Sequence, residues 1–307
     1  RQNIHKALKQ KFSSEELESL ARAYKMKLDA QAEDYSNLLA DLKWLERKTD
    51  LLNPDAQEWL RRCRNIIYVD WVPTLWNKKD YSTAILLCAY ADNLAPSEQW
   101  HEAWTNVERH VYWSPTQVLN ISKMRESEEY ANLIDYGSLS FQMMGSLSSA
   151  QLAFVYNHIL KDTPLYSFLC SKASTDKDYY YELIGTLALR EENYNRAITY
   201  LSKVSEHYFK TMNIYKWGYL CRNPFTPYPS RWKVWSPTYA GAEPWESESQ
   251  AMRHTNKSNP KAKLDFARKM QEYKRQMTYG HTSDERGLAR MMYAIGRRNS
   301  FEECWAL

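Results

Sequence analysis

Apolar residues recur every three to four positions along most of this chain. Leu264, Ala267, Met270, Tyr273 and Met277 form one such stripe, closed by Gly280 in the position of a C-terminal cap. That period predicts amphipathic helices, and no stretch alternates with the period of two that a strand requires. Start signals fall where the stripes begin. Ser13-Ser14-Glu15-Glu16, Ser148 to Gln151, Thr282 to Glu285 and Asn299 to Glu302 have the capping-box spacing, in which a hydroxyl or amide and a Glu or Gln three residues on satisfy each other's free N–H groups. Asn53-Pro54, Ser114-Pro115 and Asn259-Pro260 each place an acceptor at the cap and a proline at the first helical position, where its missing N–H costs nothing. The pattern reads as an all-α chain of about a dozen helices, each roughly 10 to 20 residues long.

One stretch breaks the period. From Leu220 to Glu246 five prolines (224, 227, 229, 237 and 244) forbid a continuous helix. Long loops without structure of their own are uncommon in compact domains and are often functional. Here Phe225, Tyr228, Trp232, Trp235, Tyr239 and Trp245 alternate with Arg222, Arg231 and Lys233. Trp, Tyr and Arg are frequent interface anchors. The candidate ligand-binding residues are therefore Trp232, Trp235, Trp245, Tyr228, Tyr239 and Arg231. The competing reading is an insertion whose tryptophans pin it to the helices beneath.

"YYYELIGTLALREENYNRAITYLSKV", residues 179–204, is the most patterned segment. Tyr181, Ile184, Gly185 and Ala188 share one face of a first helix. Glu191-Glu192-Asn193 turns the chain, and Tyr194, Ala197, Ile198 and Leu201 line a second helix. The small Gly185 and Ala197 admit a close approach, with Tyr194 filling the space beside the turn. This hairpin resembles the tetratricopeptide repeat, a helix–turn–helix unit of about 34 residues that stacks into a superhelix. Tyr181 and Ile184 stand for the usual Trp and Leu of the first helix, and Val204 and Phe209 replace the later Ala and Pro. Tyr81, Ala84 and Cys88 repeat the spacing, as do Phe301 and Cys304. Ala84, Ala197 and Cys304 lie 113 and 107 residues apart, and each interval holds about three repeats. The resemblance implies a right-handed α-solenoid of antiparallel helix pairs. It divides the chain into a repeat array over 1–220, an aromatic, proline-rich insertion over 221–247 and a basic helical segment over 248–307. The helix expected after Asn299 is too short to end an array, so the natural chain is expected to continue.

Composition agrees with helices joined by short loops: 8 glycines among 307 residues are few, against 23 Tyr and 12 Trp. Net charge is +4, but residues 251–300 hold twelve Lys or Arg against four acids, a local net of +8. Lys261, Lys263, Arg268, Lys269, Lys274 and Arg275 fall mostly off the apolar stripe and read as a solvated basic face. No aromatic nucleic-acid motif accompanies them, so a nucleic-acid partner is not indicated. The five cysteines (63, 88, 170, 221 and 304) form no CxxC, so neither a zinc site nor a disulfide framework is expected, and most fit as small core residues. No apolar run reaches the length of a membrane span. The chain begins at Arg1 without a signal peptide, which leaves export after removal of a leader open alongside other compartments.

Motifs of nucleotide-binding, hydrolase and zinc-protease chemistry are missing. His101-Glu102 lacks a second histidine four residues on, and Glu126, Glu128 and Glu129 read as an acidic turn. The expectation is a non-catalytic binding or scaffold protein without metal or cofactor, offering a groove to a peptide or protein. A second expectation comes from a likeness in architecture, not in motif, to helical outer-membrane nutrient-binding lipoproteins of the starch-utilisation type: a glycan partner captured by the aromatic insertion. A third is an enzyme whose site is assembled from residues distant in the sequence.

Overall fold

The computed structural model describes residues 2–10, 12–48, 62–93, 139–161, 163–171, 176–211, 225 and 261–303. Of these, 81% are helical and none lies in a strand, so the described residues are all-α, as expected. The helices are α1 (Gln2–Ala7), α2 (Glu15–Gln31), α3 (Leu38–Lys48), α4 (Val72–Asn77), α5 (Tyr81–Asn93), α6 (Leu139–Ser146) and α7 (Ser149–Ile159). They continue as α8 (Pro164–Cys170), α9 (Lys177–Arg190), α10 (Tyr194–Leu201), α11 (Glu206–Thr211), α12 (Ala262–Tyr279) and α13 (Ser283–Glu303). The described residues fall into two compact units. One contains α1 to α5, α8 and parts of α6 and α7; the other contains the rest of α6 and α7 and everything from residue 176 on.

In the first unit α5 is the central helix. Residues 82–91 are all buried, among them Ala84, Cys88 and Tyr90. A helix apolar on every side is one surrounded by others, and α3, α4 and α8 supply part of that surround: Tyr90 donates to the Leu42 carbonyl at 3.4 Å, and Thr83 and Tyr166 hydroxyls meet at 3.2 Å. The helix leading into α4 contains a π turn, Ile67–Trp71, closed by Val72 N–H on the Ile67 carbonyl. Pro73 explains it. A proline inside a helix removes one hydrogen bond and crowds the preceding turn, and a wider turn relieves both.

In the second unit α9 packs on α10, α10 on α12, and α12 on α13. Residues 182–189 of α9 are buried on all sides, so α9 is this unit's core helix, whereas Tyr181, expected in the core, is half-buried at its rim. A Cβ on Gly185 would lie 2.5 Å from Leu201 Cγ, and Ala197 is fully buried, so the two small residues hold the close approach that the sequence implied.

Three hairpins close with one and the same turn. At Glu33, Lys79 and Glu192 the backbone is left-handed (φ 56°, 63° and 56°). In each, the following residue (Asp34, Asp80 or Asn193) sends its N–H to the carbonyl five residues back. The side chain of that same residue then accepts a backbone N–H: Asp80 from Thr83 and Asn193 from Arg196, inside the next helix, and Asp34 from Ser36, two residues on and before α3 begins. A tyrosine follows every time: Tyr35 against Trp71, Tyr81 against Trp76 and Tyr194 against Tyr293. This is a Schellman-type C-cap, which at Asp80 and Asn193 hands over directly to an N-cap. A left-handed conformation costs a non-glycine residue about 1–2 kcal/mol. Lys79→Gly is accordingly expected to stabilise the protein by about 0.5–1 kcal/mol after glycine's extra chain entropy. A thermal midpoint that falls in this variant would contradict the strain.

Several start signals act as expected. Ser148 with Gln151 and Thr282 with Glu285 form reciprocal capping boxes, while Ser14 rather than Ser13 caps α2. Two expectations are corrected. Asn299 does not begin a helix, because α13 runs through it to Glu303; Asn and Ser are weak helix formers, not breakers, and without Pro or Gly the helix propagates. The turn required for the Phe301–Cys304 echo is therefore missing. Gly280 does end α12, but with φ −60°, not in the left-handed region; glycine is needed there because a Cβ would sit 2.8 Å from the Gln276 carbonyl. Asn53-Pro54, Ser114-Pro115 and Asn259-Pro260 lie outside the described residues.

Candidate functional site

The six residues expected to bind ligand, Trp232, Trp235, Trp245, Tyr228, Tyr239 and Arg231, lie outside the described residues. So do His101, His110, Glu126, Glu128, Glu129, Cys221 and Cys304. Phe225 is the described member of the aromatic insertion. Its ring stacks on Phe266 (5.5 Å, 23° between planes) and meets Tyr273 edge-on at 5.4 Å. Gly296 of α13 makes room for it, since a Cβ there would lie 2.7 Å from the Phe225 ring. Phe225 thus packs against α12 and α13.

The second unit builds a polar cluster where the α9–α10 turn meets α12 and α13. Tyr194, the first residue of α10, donates its hydroxyl proton to Tyr293 of α13 at 3.2 Å, and Tyr293 donates to Glu192 at 3.0 Å. Arg297, one turn beyond Tyr293, closes on the other oxygen of Glu192 at 2.5 Å. Burial pushes both phenols above their ordinary pKa, so they act as neutral hydrogen-bonding groups and not as bases. Around them lies an open rim. Lys274 stands 5.7 Å over the Tyr194 ring, and the exposed Gln271 side chain donates to the exposed Asn195. Amide and cation thus line the α10–α12 surface above the buried Tyr194 ring. These groups suit recognition of a polar main chain or an acid; they do not form a nucleophile–base pair.

No protein-family model matches the chain. No curated protein and no solved structure matches it. The chemistry must be read from the chain's own geometry.

Lys263 corrects the basic-face expectation. It is 2% exposed, and its ammonium reaches Glu182 and Thr186 of α9, the latter at 2.7 Å. Thr186 in turn donates to the Glu182 carbonyl at 2.8 Å. Burial lowers the Lys263 pKa, opposed by the Glu182 charge. Lys261, Arg268, Lys269, Lys274 and Arg275 are exposed as expected. Lys261 pairs with Glu206 at 3.0 Å, and Lys269 with Glu272 at 2.8 Å.

A second buried ionic group sits in the first unit. Lys25 lies 2.9 Å from Asp29 and 2.6 Å from Asp41, and His5 of α1 reaches the other oxygen of Asp29 at 3.0 Å. Burial raises the Asp41 pKa, and Lys25 pulls it back. Lys25 is shared between the two carboxylates, and the group cross-links α1, α2 and α3. His158 is a half-buried structural residue, with Nδ1 3.2 Å from Ser82 Oγ and its ring edge-on to Tyr166. Cys63 and Cys88 are buried, as expected of small core residues, and burial pushes the Cys63 thiol well above its usual pKa. Among the described residues no three His, Cys, Asp or Glu side chains gather as a metal site, and no helix is long and apolar enough to cross a membrane.

Proposed function

We propose that this chain is a helical-repeat binding protein, a right-handed α-solenoid of antiparallel helix pairs that presents a surface to a peptide or protein partner. The observation that carries this reading is the turn shared by three hairpins, with the same backbone hydrogen bonds at the helix end, an Asp or Asn after the left-handed residue and the same following tyrosine. One supersecondary unit used repeatedly is the basis of repeat proteins, in which each unit buries its apolar face only against a neighbour. The order α9, α10, α12, α13, each packed on the next, is of that kind.

The partner's place is the α10–α12 surface, where Asn195, Gln271 and Lys274 stand exposed beside Tyr194. An extended peptide offers N–H and C=O groups to the two amides and a carboxylate to the lysine. The test is selection from a displayed peptide library on the full chain, with titration of the enriched peptides. Asn195→Ala and Lys274→Glu should each weaken binding by about tenfold without lowering the thermal midpoint. Undiminished affinity in both variants would remove the site from this surface. Saturable binding on a glycan array, with no peptide enriched, would favour sugar capture instead.

A further inference from the structure

We propose that two copies of this chain associate through α13, packed antiparallel about a two-fold axis that passes beside Met291. The inference goes beyond the peptide surface, which lies on α10 and α12. Helix α13 buries Ala289, Tyr293 and Gly296 on one side. Its opposite side carries Asp284, Gly287, Leu288, Met291, Ala294, Ile295 and Arg298. Leu288 is 56% exposed and Met291 51%, and only Ile295 of this set is half-buried.

The arrangement of this face identifies its occupant. Gly287 is costly in mid-helix, yet a Cβ there would meet nothing within 4 Å. Nothing around it among the described residues requires a glycine, whereas a second helix approaching closely would. The face is also its own complement. In an antiparallel pair centred on Met291, residues equally far from it in the sequence come opposite one another. Gly287 then faces Ile295 of the second copy and Leu288 faces Ala294, small against large each time, while Met291 meets its own equivalent. Asp284 faces Arg298. Both are exposed, and neither makes an ion pair among the described residues. An interface related by a two-fold axis must be self-complementary in this sense. A face meant for an unrelated helix has no reason to match its own reverse in both size and charge.

Four turns of one helix bury little area, so the association is weak and depends on concentration. Sedimentation of the full chain over a range of concentrations should show a monomer–dimer equilibrium. Met291→Arg puts two cations on the axis and should leave a monomer with unchanged helical content by circular dichroism. Asp284→Arg sets like charges opposite each other at both ends and should weaken the dimer at least about tenfold. Adding Arg298→Asp exchanges the charges and should restore it. Met291→Cys should give a disulfide-linked dimer under mild oxidation, well beyond the parent chain. Three results would overturn the proposal: a monomer at every concentration, which leaves the face to another partner or to a further segment of chain; a dimer that survives Met291→Arg; or a charge exchange that fails to restore association.

Discussion

Lys263→Met is expected to destabilise the protein by about 3–5 kcal/mol, while the double change Lys263→Met with Glu182→Leu should return it to within about 1 kcal/mol of the parent. The reason is the place of the charge. Lys263 and Glu182 have side chains 2% and 1% exposed, so each ion has given up its water for the other. Lys263 also stands at the start of α12, where the helix dipole is unfavourable to a cation, which makes Glu182 more necessary. Removing the lysine takes its cation away from a buried carboxylate. Removing both replaces a costly pair with apolar volume, and Thr186 keeps its hydrogen bond to the Glu182 carbonyl. Urea unfolding of the four proteins in the cycle measures the coupling directly. If Lys263→Met costs less than about 1 kcal/mol, the pair is hydrated and the core of this unit is looser than described.

The same pair shows where reading a sequence stops. On α12 the buried positions 263, 264, 266, 267 and 270 make a wider stripe than the apolar residues alone. Lys263 lies on that stripe, but a lysine is normally assigned to water, and its partner is 81 residues away. Lys25 with Asp41, 16 residues on and in the next helix, is hidden in the same way. Long-range ionic burial leaves no local mark, because its cause is the arrival of another helix. Signals whose partners lie within one turn were legible, as in the capping boxes at Ser148 and Thr282, and so were small residues on a periodic apolar stripe: Gly185, Ala197, Ala84 and Cys88.

The shared turn was partly legible. Tyr81 and Tyr194 stand out because alanine follows three residues later, and Tyr35 is masked because Leu38 holds that place. What unites the three is backbone geometry, a left-handed Glu or Lys before Asp or Asn, and glycine, the usual mark of such a turn, is absent from all three. The turn is paid for in local strain, and at two of them the strained residue is also tied to a distant side chain: Glu33 to Lys78, and Glu192 to Arg297 and Tyr293. The expected binding residues had no such local test. Their case rested on composition, and of the aromatic insertion Phe225 alone is placed, packed against α12 and α13.

The hairpin at the centre of the functional reading should be the hardest place to enlarge. Ala197→Trp is expected to cost well over the about 1–3 kcal/mol typical of overpacking, because Ala197 is fully buried between α10 and its neighbours and an indole has nowhere to go. Gly185 gives the sharper version. In most helices Gly→Ala gains about 0.5–1 kcal/mol, but here the new methyl would stand 2.5 Å from Leu201 Cγ and 2.7 Å from Cδ2. The obstructing atom is the branch point of the leucine, not a free end, so α10 itself must move and the sign reverses. Gly185→Val should therefore destabilise by about 1–3 kcal/mol. Leu201→Ala alone should also destabilise, by about 2–5 kcal/mol, through the cavity it leaves. Combined, the two changes should cost less than their sum, since valine fills part of the space that leucine vacates; a coupling of about 0.5–3 kcal/mol is the measurable signature of direct contact. Strict additivity in chemical unfolding would show that α9 and α10 do not meet at these residues, and an unchanged melting temperature for Ala197→Trp would remove the tetratricopeptide-like packing on which the binding reading rests.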